Sequence, residues 1–479
     1  MTPSTLGLPL MDLFEGHFGE AARSIVSLKG DASDRKIFRL SAMPRTAIGV
    51  VNPDLRENCA FLEFSRHFRR AGLPVPEIYA ADLDRGVYLE EDLGDTTLFQ
   101  FLTGTRGDEG FPPQALGLYR KVVELLPRFQ IEAGRTLNYE VCYPRASFDK
   151  QSMMWDLNYF KYYFLRLAKI PFGEQALEED FERFAAFLLR AERRFFLYRD
   201  FQSRNIMVRD GAPCFIDYQG GRRGALQYDL ASLLFDAKAD LPTEVRDELV
   251  ERYLEAASRI EPIDRAAFLT AYPGFVYIRI MQAMGAYGLR GFYERKHHFL
   301  ASIPYAVRNV EYLLRTVELP VELPELTQVW RRLVASSLLR QFGAASLKLT
   351  VRIESFSYQD GVPSDEKGHG GGYVFDCRAL PNPGRFSEYA RLTGRDDAVI
   401  AFLEQEPAVR DFLGHVFAMV GQTIENYQTR NFTDLLVAFG CTGGQHRSVY
   451  CAERLAEQVR GKYQVNVEVR HLAQGHAVA

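Results

Sequence analysis

The spacing of apolar positions changes along this chain, and with it the elements they predict. In "SLKGDASDRKIFRL" two strand-like runs flank a Gly-Asp-Ala-Ser-Asp turn, which predicts a hairpin. "TAIGVV" (46–51) reads as a short apolar strand. "NCAFLEFSRHFRRAGLPVPEIYA" reads as an amphipathic helix stopped by Gly72 and Pro74. "GVYLEEDLGDTTLFQFL" is a strand entering an acidic turn and then a helix. Helical spacing dominates residues 112–316, and the aromatic stripe at 155–167 is assigned to the core.

The pattern resets after that. "VELPVELPELTQVW" (317–330) repeats a Glu-Leu-Pro unit whose prolines predict an extended linker over 317–345. Beyond it "LKLTVRIESFSY" alternates like a strand, and "EKGHGGGYVFDCRALPNP" joins a glycine run to another. "FTDLLVAFGCTGGQHRSVYCAERLAEQVRGK" reads strand, loop, helix, and "QVNVEVRHL" closes with a strand. That alternation predicts a small α/β unit over 346–479.

Bulk properties fit this division. At 479 residues the chain exceeds what one core usually supports. A net charge of -4 predicts neither non-specific nucleic-acid binding nor attachment to an anionic membrane. No basic start followed by an apolar run and no bilayer-length apolar stretch occurs, so a cytoplasmic location is expected. The six cysteines lack CxxC spacing, which argues against a zinc site or a disulfide framework. Homo-oligomerisation is left open.

The candidate chemistry lies in "FFLYRDFQSRNIMVRDGAPCFIDYQGG" (195–221). In-line phosphoryl transfer needs a carboxylate near the acceptor hydroxyl and oxygen ligands for Mg²⁺ on the nucleotide phosphates. Asp200 follows the strand-like "FFLYR", Asn205 ends the same loop, and "APCFID" delivers Asp217. Asx residues at strand ends also serve simple turns.

"YRDFQSRNIM" and "CFIDYQGGRRGALQYDLASLL" resemble the catalytic loop, metal-binding strand and following helix of the aminoglycoside phosphotransferase and choline kinase family, relatives of protein kinases. "GDASDRKIFRL" (30–40), "LEEDLGDTTL" (89–98) and "RIMQAMGAYGLRG" (279–291) are most similar to its anomeric amino-sugar kinases, which phosphorylate N-acetylmuramate and N-acetylglucosamine at C1. The resemblance implies an α+β protein-kinase-like, bilobal phosphotransferase domain over 1–316, with an N-lobe to about 95 and a C-lobe from 96. It implies ATP and Mg²⁺ as cofactors and a small-molecule sugar as substrate. Asp200 would be the catalytic base, and Asn205 and Asp217 the metal ligands. Gly30, Asp31, Ala32, Ser33 and Arg35 would form the turn over the phosphates, and residues 90–93, including Glu91 and Leu93, the adenine hinge. Gln219 and Arg279 are candidate substrate contacts, and Asp229 would anchor the catalytic loop. Two positions depart from the family pattern. Tyr198 stands where His is usual, and the strand "TAIGVV" has no Lys for the phosphates, leaving Arg35 or Arg39 to supply the charge.

The second constellation, in "VAFGCTGGQHRSVYCAERL", is an anion cradle: converging N–H groups, a helix N-terminus and Arg447. Cys441 to Arg447 also has the Cys-x5-Arg spacing of cysteine-dependent phosphatases, with Asp360, Asp365 and Asp376 as candidate acids. This stretch, with "IESFSYQDGVPSD", "GYVFDCRALPNPGR" and "LTGRDD", resembles the C-terminal domain of RapZ, which senses glucosamine-6-phosphate. That implies a smaller α/β RapZ C-terminal-like domain in which Cys441, Thr442, Gly443, Gly444, His446, Arg447 and Ser448 bind a sugar phosphate, with Arg378 nearby. No GxxxxGK[ST] occurs, so RapZ's RNA-adapter role does not follow. "HGGG" (369–372) lacks a GxSxG partner and is read as a loop, a possible lid. Three readings stay open: a sugar kinase with a sensor domain, a bifunctional kinase and cysteine phosphatase, and a non-catalytic regulator binding both ligands.

Overall fold

The computed structural model describes residues 7–28, 35–107, 110–342, 349–363, 372–429, 432 and 434–474. Two compact units divide the chain, Met1–Phe342 and Gly343–Ala479.

The first unit opens with α1 (Leu8–Phe18) and a five-stranded antiparallel sheet of β1 (Ser24–Leu28), β2 (Lys36–Ala42), β3 (Arg45–Val51), β4 (Ile78–Asp82) and β5 (Val87–Glu91), ordered β1-β2-β3-β5-β4. One face packs on α1 through Leu10, Phe14, Leu40, Ala47 and Leu89. Under the other lies α2 (Leu55–Arg70), capped by Asp54, whose carboxylate accepts the N–H groups of Arg56 and Glu57.

The larger lobe is mainly helical. It contains α3 (Leu98–Thr105), α4 (Pro113–Pro127), α5 (Lys150–Tyr159), α6 (Glu174–Leu188), α7 (Gln227–Leu234), α8 (Thr243–Ile260), α9 (Arg265–Tyr287), α10 (His297–Leu300) and α11 (Ile303–Thr316). Among them sit two small antiparallel pairs, β6 (Phe195–Leu197) with β9 (Arg222–Gly224), and β7 (Ile206–Arg209) with β8 (Ala212–Phe215). The β7–β8 turn is Asp210-Gly211, both at positive φ (50° and 72°), as a two-residue hairpin turn requires.

Two expectations need correction. The 317–345 stretch is not an extended linker over its described part. It carries α12 (Pro324–Ala335) and α13 (Ser337–Gln341). Pro324 stands at the helix start, where its missing N–H is not needed. Leu326, Val329, Trp330 and Leu333 then recur at helical spacing and enter the first unit's core. Asp180 accepts the Leu326 N–H at 2.7 Å, and Trp330 stacks on Tyr277 at 3.9 Å. The aromatic stripe at 155–167 is only partly core. Phe160 and Phe164 continue the buried helical face of Met153 and Leu157, whereas Trp155, Tyr162 and Tyr163 lie on the other face and are exposed.

The second unit is a four-stranded sheet of β10 (Thr350–Ser357), β11 (Gly372–Asp376), β12 (Asp434–Cys441) and β13 (Asn466–His471), every pairing parallel, in the order β11-β12-β10-β13. α14 (Asp397–Gln405), α15 (Pro407–Thr429) and α16 (Arg447–Lys462) complete it. β10 and β12 are buried on both faces along nearly their whole length, as central strands of a parallel sheet must be. The glycine run at 364–371 and the turn at 29–34, with Gly30, Asp31, Ala32 and Ser33, lie outside the described residues. Asp365 does as well.

Candidate active site

The hairpin explains the spacing of the central triad. Ile206 pairs with Phe215, so Asn205 and Ile216 come face to face, and the Ile216 N–H donates to the Asn205 carbonyl at 3.1 Å. Asp217 therefore arrives beside Asn205 although twelve residues separate them. The Asn205 amide donates to Asp217 Oδ2 at 3.0 Å and to the Asp200 carbonyl at 2.8 Å. The three residues of this motif thus lie next to one another, Asp200 joined to Asn205 through its backbone carbonyl.

Each is held from behind. Tyr198 is fully buried and donates its hydroxyl to the Ile216 carbonyl at 2.6 Å, so it braces the loop where His is usual. Asp229 accepts the N–H groups of Tyr198 (2.8 Å) and Arg199 (3.0 Å) and the Gln130 amide (2.8 Å), anchoring the loop. Burial pushes its carboxyl up to about 7 against those three donors. Arg199 stands at φ 84° and Asp217 at φ 69°, a region that non-glycine residues rarely occupy. A two-pronged pair from Arg199 to Asp156 (2.6 and 2.7 Å) fixes the first of these turns. Tyr218 fixes the second, stacked on Phe61 at 5.1 Å with its hydroxyl 2.7 Å from Ser65 Oγ.

Arg35 and Arg39, the two arginines that could supply the charge of the missing lysine, are placed differently. Arg35, just before β2, places Nη2 2.6 Å from Asp217 Oδ1 and Nε 3.8 Å from Glu57 Oε1 on α2. Burial alone would raise the Asp217 carboxyl. The Arg35 charge and the hydrogen bonds from Gln219 and Arg35 outweigh it and hold Asp217 below the usual carboxylate range. Arg39 is turned elsewhere, paired with Asp92 (2.8 Å) and Asp95 (2.9 Å) after β5.

Gln219 donates to Asp217 Oδ1 at 2.8 Å, while its own buried Oε1 has no partner among the described residues. Glu91 ends β5 and pairs with Arg209 of the β7–β8 hairpin, tying the two lobes together, and Leu93 is buried just beyond. Glu90 has its Oε2 buried with no partner among the described residues, and burial pushes its carboxyl up to about 8. The donors fit a hard cation: the Asp217 carboxylate and the Asn205 amide are the oxygen ligands magnesium favours. Among the described residues no cluster of three or more His, Cys, Asp or Glu side chains could hold a metal by itself, so Asn205 and Asp217 would need phosphate oxygens to complete a shell.

Asp200 also lines a cavity of about 200 Å³ together with Arg204, Asp236, Lys238, Arg279 and His298. Arg279, singled out in the sequence, therefore shares a chamber with the candidate base, whereas Gln219 is absent from its lining. Sequence reasoning missed Glu57 and Asp156. Glu57 is one of several acids on a charged helix, and Asp156 lies 43 residues from the arginine it holds, so neither carries a local signal.

In the second unit the β12–α16 loop is built as follows. Cys441 is 3% exposed, with Sγ 3.1 Å from the buried Ser448 Oγ. Thr442 and Gly443 are exposed, and Ser357 donates to the Thr442 carbonyl at 2.9 Å. Gly444 stands at φ 63°, and a Cβ there would lie 2.5 Å from that of Ala473. The His446 ring nitrogen Nε2 is 2.9 Å from the Tyr389 carbonyl. Arg447 donates through Nη1 to the carbonyls of Arg378 and Leu380, at 2.8 and 3.0 Å, and its buried Nε has no partner among the described residues. Arg378 lies next to this cluster, paired with Asp376 and stacked over Tyr358 at 3.9 Å. Asp360 lies in the exposed turn after β10.

Comparison with known proteins gives two family matches. Residues 24–269 match the phosphotransferase enzyme family, and residues 349–473 match the RapZ C-terminal domain. A nucleotide-binding protein of Hahella chejuensis is 40% identical over 133 residues, 28% of this chain and 44% of that protein. One from Cupriavidus taiwanensis is 45% identical over 128 residues, 27% of this chain and 42% of that protein. The chain thus spans less than half the length of these curated relatives. Among solved structures, choline kinase LicA from Streptococcus pneumoniae superposes with a TM-score of 0.44 at 13% identity, covering 64% of this chain and all of that one. Choline kinase from Cryptosporidium parvum gives 0.45 at 10% identity, covering 68% and 99%. Among the described residues no helix is long and apolar enough to cross a membrane.

Proposed function

The chain belongs to the phosphotransferase enzyme family, and we infer that its first unit uses ATP and Mg²⁺ to phosphorylate a small sugar, an amino sugar of the N-acetylmuramate or N-acetylglucosamine type at its anomeric hydroxyl. The observation that carries this reading is the convergence of Asp200, Asn205 and Asp217 beside Arg35. Asp200 lines the cavity where an acceptor hydroxyl would sit, and takes its proton as the oxygen–phosphorus bond forms and the β–γ bridging bond breaks. Arg35 directs its positive charge to the side of the cleft where Asp217 stands, and Glu57 positions it. Asn205 and Asp217 would hold Mg²⁺, which neutralises the phosphate charges when bound. The main chain at 90–93 would take the adenine, and the turn at 30–33 would cover the phosphates.

The second unit, on this reading, binds a sugar phosphate at residues 441–448 as a sensor or product site. Support comes from the RapZ C-terminal match and from the Arg447 guanidinium, buried with an unsatisfied Nε. Cys441 is 3% exposed, which favours binding over thiol-dependent hydrolysis.

The test is ATP consumption by the purified chain against amino sugars, neutral hexoses and aminoglycosides. Turnover of a sugar that Asp200→Asn abolishes supports the kinase reading. Turnover of none of them, with Asp200→Asn indistinguishable, overturns it. For the second unit, a sugar phosphate should raise the melting temperature and Arg447→Ala should remove the shift; no shift with any sugar phosphate overturns that reading.

A further inference from the structure

The cavity beside Asp200 holds more positive than negative charge. Arg204, Lys238 and Arg279 line it, against Asp200 and Asp236. Asp236 is already engaged, accepting the hydroxyl and the N–H of Ser203. Arg279 is the unusual member. It is 5% exposed, and its partners are both neutral: Nε donates to Ser232 Oγ at 2.8 Å and Nη1 to Gln282 Oε1 at 2.7 Å. Among the described residues no carboxylate lies within ion-pair distance of it, and Nη2 makes no hydrogen bond.

A guanidinium keeps its charge at any working pH, and burying one without a counter-ion is strongly unfavourable. Elsewhere this chain supplies the counter-ion: Asp156 for Arg199, Asp434 for Arg352 and Asp217 for Arg35. Arg222, Arg246 and Arg447 also have no carboxylate partner among the described residues, but Arg222 and Arg447 are spent on backbone carbonyls, Arg246 lies over the Phe235 ring, and none of them lines this cavity. Arg279 alone is buried, without an acid, and turned to the chamber that contains the candidate base.

We propose that the acceptor carries a fixed negative charge, a carboxylate or a phosphate monoester, on the part of the molecule away from the hydroxyl presented to Asp200, and that Arg279 recognises it. Lys238 and Arg204 add positive potential along the same wall. Cationic acceptors are disfavoured by the same charges, and neutral sugars leave Arg279 uncompensated. This inference rests on the placement of Asp200 as the base of the acceptor site.

Two measurements on the full chain test it. Initial rates of ATP consumption are compared for N-acetylmuramate (carboxylate), glucosamine-6-phosphate (phosphate), N-acetylglucosamine (neutral) and choline (cationic). At least one acidic acceptor should exceed both others in kcat/KM by tenfold or more, and the better acid identifies the anion. Arg279→Gln should lower the ratio of acidic to neutral kcat/KM at least tenfold, acting through KM, and Arg279→Lys should recover part of it. Equal use of neutral or cationic acceptors, or an unchanged ratio in Arg279→Gln, overturns the proposal. Calorimetric binding of both acidic sugars to Asp200→Asn separates the two claims. Binding that Arg279→Gln removes, without turnover in the wild type, sinks the kinase reading and keeps this one. No binding of either acidic sugar sinks this one alone.

Discussion

Replacing Arg35 by Gln tests the cleft most directly, because it removes the charge and keeps most of the side chain. Arg35 sits 2.6 Å from Asp217 and 3.8 Å from Glu57, with side-chain exposures of 15%, 29% and 25%. At such partly buried positions an effective dielectric of about 20 gives roughly 4 kcal/mol for unit charges 4 Å apart. Desolvation and the ordering of side chains offset most of that. Asp217 also keeps Gln219 and Asn205 as donors after the change. The expected net loss of folding stability is therefore about 1–2 kcal/mol, read as a lower urea midpoint at unchanged m. The kinetic effect should be larger. Removing one donor aimed at developing charge typically lowers kcat by about 10²–10³. Rates of ADP release under saturating sugar measure it. Arg35→Lys should retain most of the rate, since it keeps the positive charge beside Asp217. Glu57→Gln should lose less than Arg35→Gln, and the double variant less than the sum of the two, with a coupling of roughly 0.5–1.5 kcal/mol. If Arg35→Gln stays within threefold of wild type in kcat and in KM for ATP, Arg35 is not the phosphate-facing cation and the reasoning fails.

Other expectations follow from single contacts. Asp229→Asn retains only one acceptor oxygen, and Gln130 is locked by Tyr253 and Leu226, so its amide cannot turn to compensate; a loss of about 2–4 kcal/mol and at least a tenfold drop in kcat should result, read by unfolding and by ATP turnover. Glu90, raised to about 8 by burial, binds its proton more tightly in the folded chain, so between pH 4.5 and 8 its contribution to stability falls as pH rises. Glu90→Gln removes that slope, and nucleotide-free unfolding should show the variant gaining on wild type by about 1–3 kcal/mol across the window; equal slopes would refute it. Gly444→Ala places a Cβ 2.5 Å from that of Ala473 at φ 63° and should destabilise the second unit by about 1–3 kcal/mol, measured by denaturant unfolding.

Much of this site was legible because it is local. Asp200, Asn205 and Asp217 belong to one strand–loop–hairpin unit, and the Asp-Gly turn makes their separation readable as proximity. What joins distant parts of the chain was not. Arg35 and Arg39 look alike in sequence, and only the sheet decides that one meets Asp217 while the other meets Asp92. Glu57 and Asp156 gain meaning solely through arginines far away in sequence. The Glu-Leu-Pro stretch misled for a different reason: a proline that stops one helix can begin another, and Pro324 does the latter. The stripe at 155–167 looked uniform because its aromatics were read as one face, whereas Phe160 and Phe164 belong to the buried face and Trp155 and Tyr162 to the exposed one.

The Arg35–Asp217 contact links an arginine at the foot of the small lobe's sheet to an acid at the end of a strand in the large lobe. It works as a latch between the lobes. A cation that binds Asp217, or a phosphate that binds Arg35, competes with this pairing, so association is an exchange of partners, and its affinity reports a difference between two pairings. Loosening the latch should speed entry and exit together, even where the final complex is no tighter.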